Sequence, residues 1–191
     1  GIMGIGLAWH PDGSLFMADW IGGYPLDGKG AVWRVETPST TKDAARLQTR
    51  LLLSAGFGKT AQPELVSLLG HRDQRVRQGA QLELAKRNQG DAFLSVARDA
   101  ASPLLARVHA LWGLGQMLRR NAAPVATALP FLADADAEIR TQAVKIIGDT
   151  AAAKADAKAL IPLLKDSAPR VRLQAAIALG KLAEPTAVDA L

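Results

Sequence analysis

One short pattern recurs four times in this chain and limits what it can fold into. Residues 75–80, 106–110, 138–143 and 170–175 superimpose on an arginine followed three positions later by an alanine. The alanines, Ala80, Ala110, Ala143 and Ala175, lie 30, 33 and 32 positions apart, and Arg77, Arg107, Arg140 and Arg172 keep the same intervals. Five residues past each alanine stands a small residue: Ala85, Gly115, Gly148 and Gly180. A shorter helical segment precedes each pattern, at 63–69, 92–100, 125–132 and 157–164. A two-helix unit of roughly 32 residues cannot bury its apolar face alone, whereas stacked copies share one continuous core. The chain is therefore expected to be mainly α, an α-solenoid of helical hairpins over residues 61–191. That span holds about four repeats and the start of a fifth.

Local chemistry agrees with the period. Val171, Ala175, Ala178, Leu179 and Leu182 form a stripe at helical spacing, so one face of that helix is expected to be buried. An alanine at a fixed place lets neighbouring helices approach closely. Asp134 and Asp166 lie six residues before Arg140 and Arg172, in the turn between helices. There an aspartate is expected to cap the second helix, while the repeated arginine pairs with carboxylates of the next unit. The same arginines could alternatively line a surface that binds phosphate or an acidic partner; the structural role is the reading favoured here.

The first thirty-six residues have a different pattern. Residues 5–10 and 14–20 are short apolar and aromatic runs joined by Pro11-Asp12-Gly13, where proline presets φ and glycine accepts positive φ. A glycine-rich loop over 21–30 leads to a third expected strand at 31–36. Five of the nine aromatic residues lie here: Trp9, Phe16, Trp20, Tyr24 and Trp33. Three strands carrying such large rings need a facing surface, so residues 1–36 are expected to be the closing strands of a larger β domain, as in a β-propeller blade. Residues 37–60 read as a linker with one helix at 44–54, closed by Gly56. Because the chain starts at Gly1 and ends at Leu191 inside what reads as another helix, it is expected to be a piece of a longer protein.

Composition excludes several classes. With 49% hydrophobic and 21% charged residues the chain is not a disordered tail. It has no cysteine, so disulfides, cysteine-bound zinc and haem attachment are absent from this piece. No stretch approaches 18 uninterrupted apolar residues, so no membrane span is expected. Residues 1–40 carry two basic against four acidic residues, and the remainder twenty-one against fourteen. Those basic residues alternate with acids along helices rather than running together, which favours solvated helix faces and disfavours nucleic acid.

Few side chains suggest chemistry. Gly56-Phe57-Gly58-Lys59-Thr60 resembles the end of a phosphate-cradling loop, but Leu53 stands where the full pattern needs glycine. His10, His71 and His109 lie far apart on different elements, so no shared metal site is expected. Asp12 and Asp19 cannot by themselves supply the six to eight oxygens of a calcium site. His10, beside the turn, and Asp19, before Trp20, are the two candidate catalytic residues; Asp12 is explained by its turn.

The helical units resemble HEAT repeats, in which an aspartate turn and a Val-Arg pair recur near the start of the second helix. A longer resemblance runs from Gly6-Leu7-Ala8-Trp9 through Pro11-Asp12-Gly13-Ser14-Leu15, Ala18-Asp19-Trp20, Gly28-Lys29-Gly30 and Trp33-Arg34-Val35. It continues through Ala55-Gly56-Phe57-Gly58-Lys59, Leu68-Leu69-Gly70-His71, Asp73-Gln74-Arg75-Val76-Arg77 and His109-Ala110-Leu111-Trp112. This succession resembles bacterial cell-envelope proteins that join a sugar-dehydrogenase-like β-propeller to HEAT repeats, many ending in a haem-binding CxxCH domain. The resemblance implies a periplasmic parent that oxidises a sugar-like substrate with pyrroloquinoline quinone (PQQ) and passes electrons to haem c. It implies no cofactor in this piece and transfers no catalytic residue to it. The function expected is a scaffold that holds the propeller to neighbouring domains or to a protein partner. The alternatives are a contribution to the propeller's active site and a stand-alone repeat protein binding protein or nucleic acid. A chromophore lyase, which some short HEAT-like repeats resemble, is disfavoured by the attached β segment.

Overall fold

The computed structural model describes residues 4–21 and 28–190, so Tyr24 and most of the glycine-rich loop lie outside the described residues. The chain divides into two compact units, Gly1–Phe57 and Gly58–Leu191. The helix expected within a separate linker thus belongs with the strands.

In the first unit, β1 (Gly4–Trp9), β2 (Leu15–Asp19) and β3 (Ala31–Val35) form an antiparallel sheet in the order β1-β2-β3. The turn between β1 and β2 closes through Gly13 N–H to the His10 carbonyl at 2.9 Å, with Gly13 at φ +80°. Pairing sets Leu7, Met17 and Trp33 in one cross-strand row and Trp9, Leu15 and Val35 in the next. These rows share one face, because side chains alternate along a strand. The face is uncovered: Leu7 is 69% exposed and Trp9 66%. Helix α1 (Ala44–Ala55) follows, capped by Asp43, whose carboxylate accepts the Arg46 N–H at 2.9 Å. It ends at Gly56, at φ +70°.

The second unit is the repeat array. Helices α2 (Gln62–Leu68) and α3 (Gln74–Lys86) form its first hairpin, and α4 (Gly90–Arg98) and α5 (Leu104–Arg119) its second. Helices α6 (Ala137–Gly148) and α7 (Pro169–Leu182) are the second helices of the next two units. The first helices expected at 125–132 and 157–164 take a different form. They are 3-10 segments, Val125–Thr127 with Leu129–Ala133, and a run over Ala151–Lys165. Pro130 and Pro162 have no N–H to return to the preceding turn, and their rings crowd its carbonyls, so a regular α-helix does not propagate there.

The second helices stack side by side in the order α3, α5, α6, α7. Ala80, Ala110, Ala143 and Ala175 are all fully buried, so the repeated alanine sits within the packed core. The small residue five positions on has a more specific job. A methyl group at Gly148 would lie 2.4 Å from Ala178 Cβ, and one at Gly115 would lie 2.7 Å from Ile146 Cγ2. These two glycines let α6 close onto α5 and α7 onto α6. Helices α3, α5 and α7 are each followed by a residue at positive φ, Asn88, Asn121 and Ala183. The chain reverses there through bonds such as Ala122 N–H to the Met117 carbonyl at 2.8 Å.

Candidate interaction face

Two of the repeated arginines, Arg107 and Arg140, join neighbouring units from within. Arg140 donates through Nη1 to the carbonyls of Asp134 at 2.8 Å and Ala135 at 3.1 Å, in its own turn. Its Nε and Nη2 fork onto the Asp166 carboxylate of the next unit, both at 2.8 Å. Arg107 does the same with different carbonyl geometry, donating to the Ala97 carbonyl at 2.9 Å and to Asp134 Oδ2 at 2.6 Å. Arg77 and Arg172 each hold two carbonyls five and six residues back. Among the described residues the buried Arg77 Nε has no hydrogen-bond partner.

Asp134 and Asp166 do not cap the second helices. Their Oδ1 atoms accept the N–H two residues on, from Asp136 at 2.9 Å and from Ala168 at 2.8 Å, which shapes the turn instead. The cap of α6 is Asp136, and α7 starts on Pro169 without a side-chain cap. In the first hairpin His71, six residues before Arg77, takes the place of the turn aspartate, its Nδ1 accepting the Asp73 N–H at 3.0 Å. Hydrogen bonds from Arg140 hold the Asp166 carboxyl below the usual range, and the same contact raises Arg140.

A second set of contacts crosses the stack farther along the helices. Gln81 Oε1 of α3 lies 2.8 Å from His109 Nδ1 of α5, and the His109 ring meets Trp112 edge-on at 4.9 Å. The Trp112 indole donates to Gln142 Oε1 of α6 at 2.8 Å. Gln142 Nε2 donates to Glu138 Oε1 at 2.6 Å, and Arg170 of α7 reaches Glu138 Oε2 at 2.6 Å. Burial, with the nearby Arg77 charge, pushes the His109 imidazole down to about 4, so it is neutral at pH 7. Asp149 closes the far end: burial pushes it up, yet hydrogen bonds from Lys181 and Lys145 outweigh that and hold it low.

Over this network the four second helices enclose a groove of about 540 Å³. Trp112, Gln116 and Arg119 line it from α5 at i, i+4 and i+7, one stripe of that helix. Lys145 and Gln142 come from α6, Arg170 and Gln174 from α7, and no acidic residue is in the lining. Gln142, Arg170 and Gln174 fall inside the repeated segments, whereas Trp112, Gln116, Arg119 and Lys145 follow no period. The one signal in the sequence was the rare Trp112 at an exposed helical position.

One family comparison bears on the last two of these stacked units. Residues 125–191 match the family model of HEAT repeats. The match covers α6, the 3-10 run Ala151–Lys165 and α7, and α3 and α5 carry the same arginine, alanine and small residue. No curated protein matches the chain. The match and the helical stack support a repeat scaffold over residues 125–191.

The candidates in the β unit are engaged in holding it together. Asp19 is buried, and its Oδ2 accepts the Trp33 indole N–H at 2.8 Å, joining the end of β2 to the middle of β3. Asp12 Oδ1 accepts the Ser14 hydroxyl at 2.6 Å and the Ser14 N–H at 2.8 Å, which hold its carboxyl well below the usual range. His10 is half-exposed, with Nδ1 at 3.0 Å from Asp12 and its ring against Phe16. His10 and Asp19 each have their own partners. Among the described residues no three His, Asp or Glu side chains gather as metal ligands. The Gly56–Thr60 segment follows helix α1 rather than a strand, unlike a phosphate-cradling loop. Among the described residues no helix is long and apolar enough to cross a membrane.

Proposed function

We propose that this chain is a non-catalytic scaffold that presents the α3-α5-α6-α7 face of its HEAT array to a protein partner. The observation that carries this reading is the groove of about 540 Å³ built jointly by those helices, with Trp112 in its wall. The arginines of the inner ladder are occupied by carbonyls and carboxylates of the stack, so binding falls to the other side chains that line the groove. A tryptophan already fixed by a hydrogen bond offers contact area at small entropic cost. The test is substitution in the natural parent protein. Trp112→Ala with Gln116→Ala removes stoichiometric co-purification of the partner, whereas Lys154→Ala with Lys158→Ala leaves it intact. Equal retention by both variants contradicts the reading.

The wider setting proposed is attachment to a larger β domain, the end of a sugar-dehydrogenase-like propeller in an exported, PQQ- and haem-linked parent. What supports attachment is the uncovered apolar row of Leu7, Trp9, Trp33 and Val35. The dehydrogenase part rests on sequence resemblance alone. Sequencing the natural gene on both sides tests it: further propeller blades upstream and a CxxCH motif downstream are expected, and an open reading frame lacking both overturns it.

A further inference from the structure

A second groove, of about 330 Å³, lies on the other flank of α5, between α5 and α3. Leu82, Ala85 and Lys86 line it from α3, and Gln116 and Arg119 line it from α5, with Arg120 just beyond that helix. Gln116 and Arg119 therefore belong to both grooves and form the ridge between them. An occupant that fills both must pass over this ridge, which suits an extended chain better than a helix or a compact ligand.

The charge on this path has one sign. Lys86, Arg119, Arg120, Lys145 and Arg170 line the two grooves, and neither lining contains an aspartate or glutamate. Three of the five are already committed: Lys145 to Asp149 at 2.9 Å, Arg170 to Glu138 at 2.6 Å, and Arg120 to the Ala85 carbonyl at 2.7 Å. Among the described residues, Lys86 and Arg119 make no hydrogen bond or ion pair, and neither do the Gln116 and Gln174 amides. A side-chain amide both donates and accepts, so it matches a peptide backbone. Two available cations flanking an amide ridge fit a few carboxylates on such a backbone. They are too few for a nucleic-acid backbone, whose binding rests on neutralising many phosphates at once.

The geometry points to an extended acidic peptide segment of a partner protein, laid across α5 with its backbone at Gln116 and its carboxylates at Arg119 and Lys86. This rests on the scaffold reading above and specifies the partner's chemistry.

The experiment uses the 191-residue chain and a fluorescein-labelled peptide of alternating Glu and Ser, read by anisotropy at low salt. Saturable binding is expected, weakened about fivefold by Arg119→Ala and similarly by Lys86→Ala, as for exposed charge pairs. Lys158→Ala, away from both grooves, is expected to change nothing, with circular dichroism showing that every variant is folded. A Lys-Ser peptide is expected not to bind. A single-stranded oligonucleotide of equal charge that binds more tightly, with the same dependence on Arg119, overturns the peptide assignment. So does acidic-peptide binding that Arg119→Ala and Lys86→Ala leave unchanged. If no acidic peptide binds but the Trp112 and Gln116 substitutions still release the natural partner, the acidic class is wrong and the scaffold reading stands.

Discussion

The Arg140 guanidinium lies as a fork on the Asp166 carboxylate, with Nε and Nη2 each 2.8 Å from a different oxygen. Its remaining Nη1 holds the turn of its own repeat. One side chain thus fixes both the local turn and the distance to the next unit. Because both partners are mostly buried, Arg140→Ala is expected to cost about 3 kcal/mol in urea unfolding, and the double variant with Asp166→Ala less than the two losses added. Additive losses would contradict the coupling.

That pair also sets an acid limit. The folded carboxyl of Asp166 titrates below its ordinary value of 3.8, so its contribution is present above that value and lost as pH falls through the folded one. Urea midpoints measured from about pH 5 downward should fall less steeply in Arg140→Ala than in the parent chain.

His109 acts over a different window. Its folded imidazole titrates at about 4 against an ordinary 6.5, so the fold favours the neutral ring. Stability is full above 6.5 and declines as pH falls toward 4, by up to about 3 kcal/mol. His109→Gln should flatten the curve in that window, and NMR titration of the His109 ring gives its value directly. An ordinary imidazole value in the folded chain would contradict the burial argument.

Two glycines at the same repeat position should respond oppositely to alanine. A methyl group at Gly148 meets Ala178 Cα at 2.8 Å as well as its Cβ, both on the neighbouring helix, so Gly148→Ala should destabilise by about 2 kcal/mol. Among the described residues nothing lies within 4 Å of a methyl group at Gly180, so Gly180→Ala should be neutral or stabilise by about 0.5–1 kcal/mol through helix propensity. Thermal unfolding of the two variants checks the pair.

The uncovered sheet face should make the chain associate. Leu7→Lys with Trp9→Lys is expected to lower binding of an apolar dye and to shift sedimentation toward monomer. A chain already monomeric and dye-silent would show that this face is satisfied in some other way.

The sequence carried the stack because Arg140 and Ala143, and their counterparts, recur at a period that only repeated packing explains. It carried the strands because Pro11-Asp12-Gly13 has one economical turn geometry between apolar runs. Two local features depart from the sequence pattern. Pro130 and Pro162 were visible, but their effect on the first helices depends on how much of the turn packing restores. Asp134 and Asp166 stood where a cap was expected, yet the helix starts later and their oxygens go to the turn. The groove was hidden for a deeper reason: Gln116 and Arg119 follow no period, and only the stacking of α5, α6 and α7 brings them together with Arg170.

The most direct test of the scaffold account is a photo-crosslinking amino acid placed at Gln116 and, separately, at Lys158 in the natural parent protein. The account predicts a discrete crosslinked polypeptide from position 116 and none from position 158. Crosslinking from 158 alone, or equally from both positions, would contradict it.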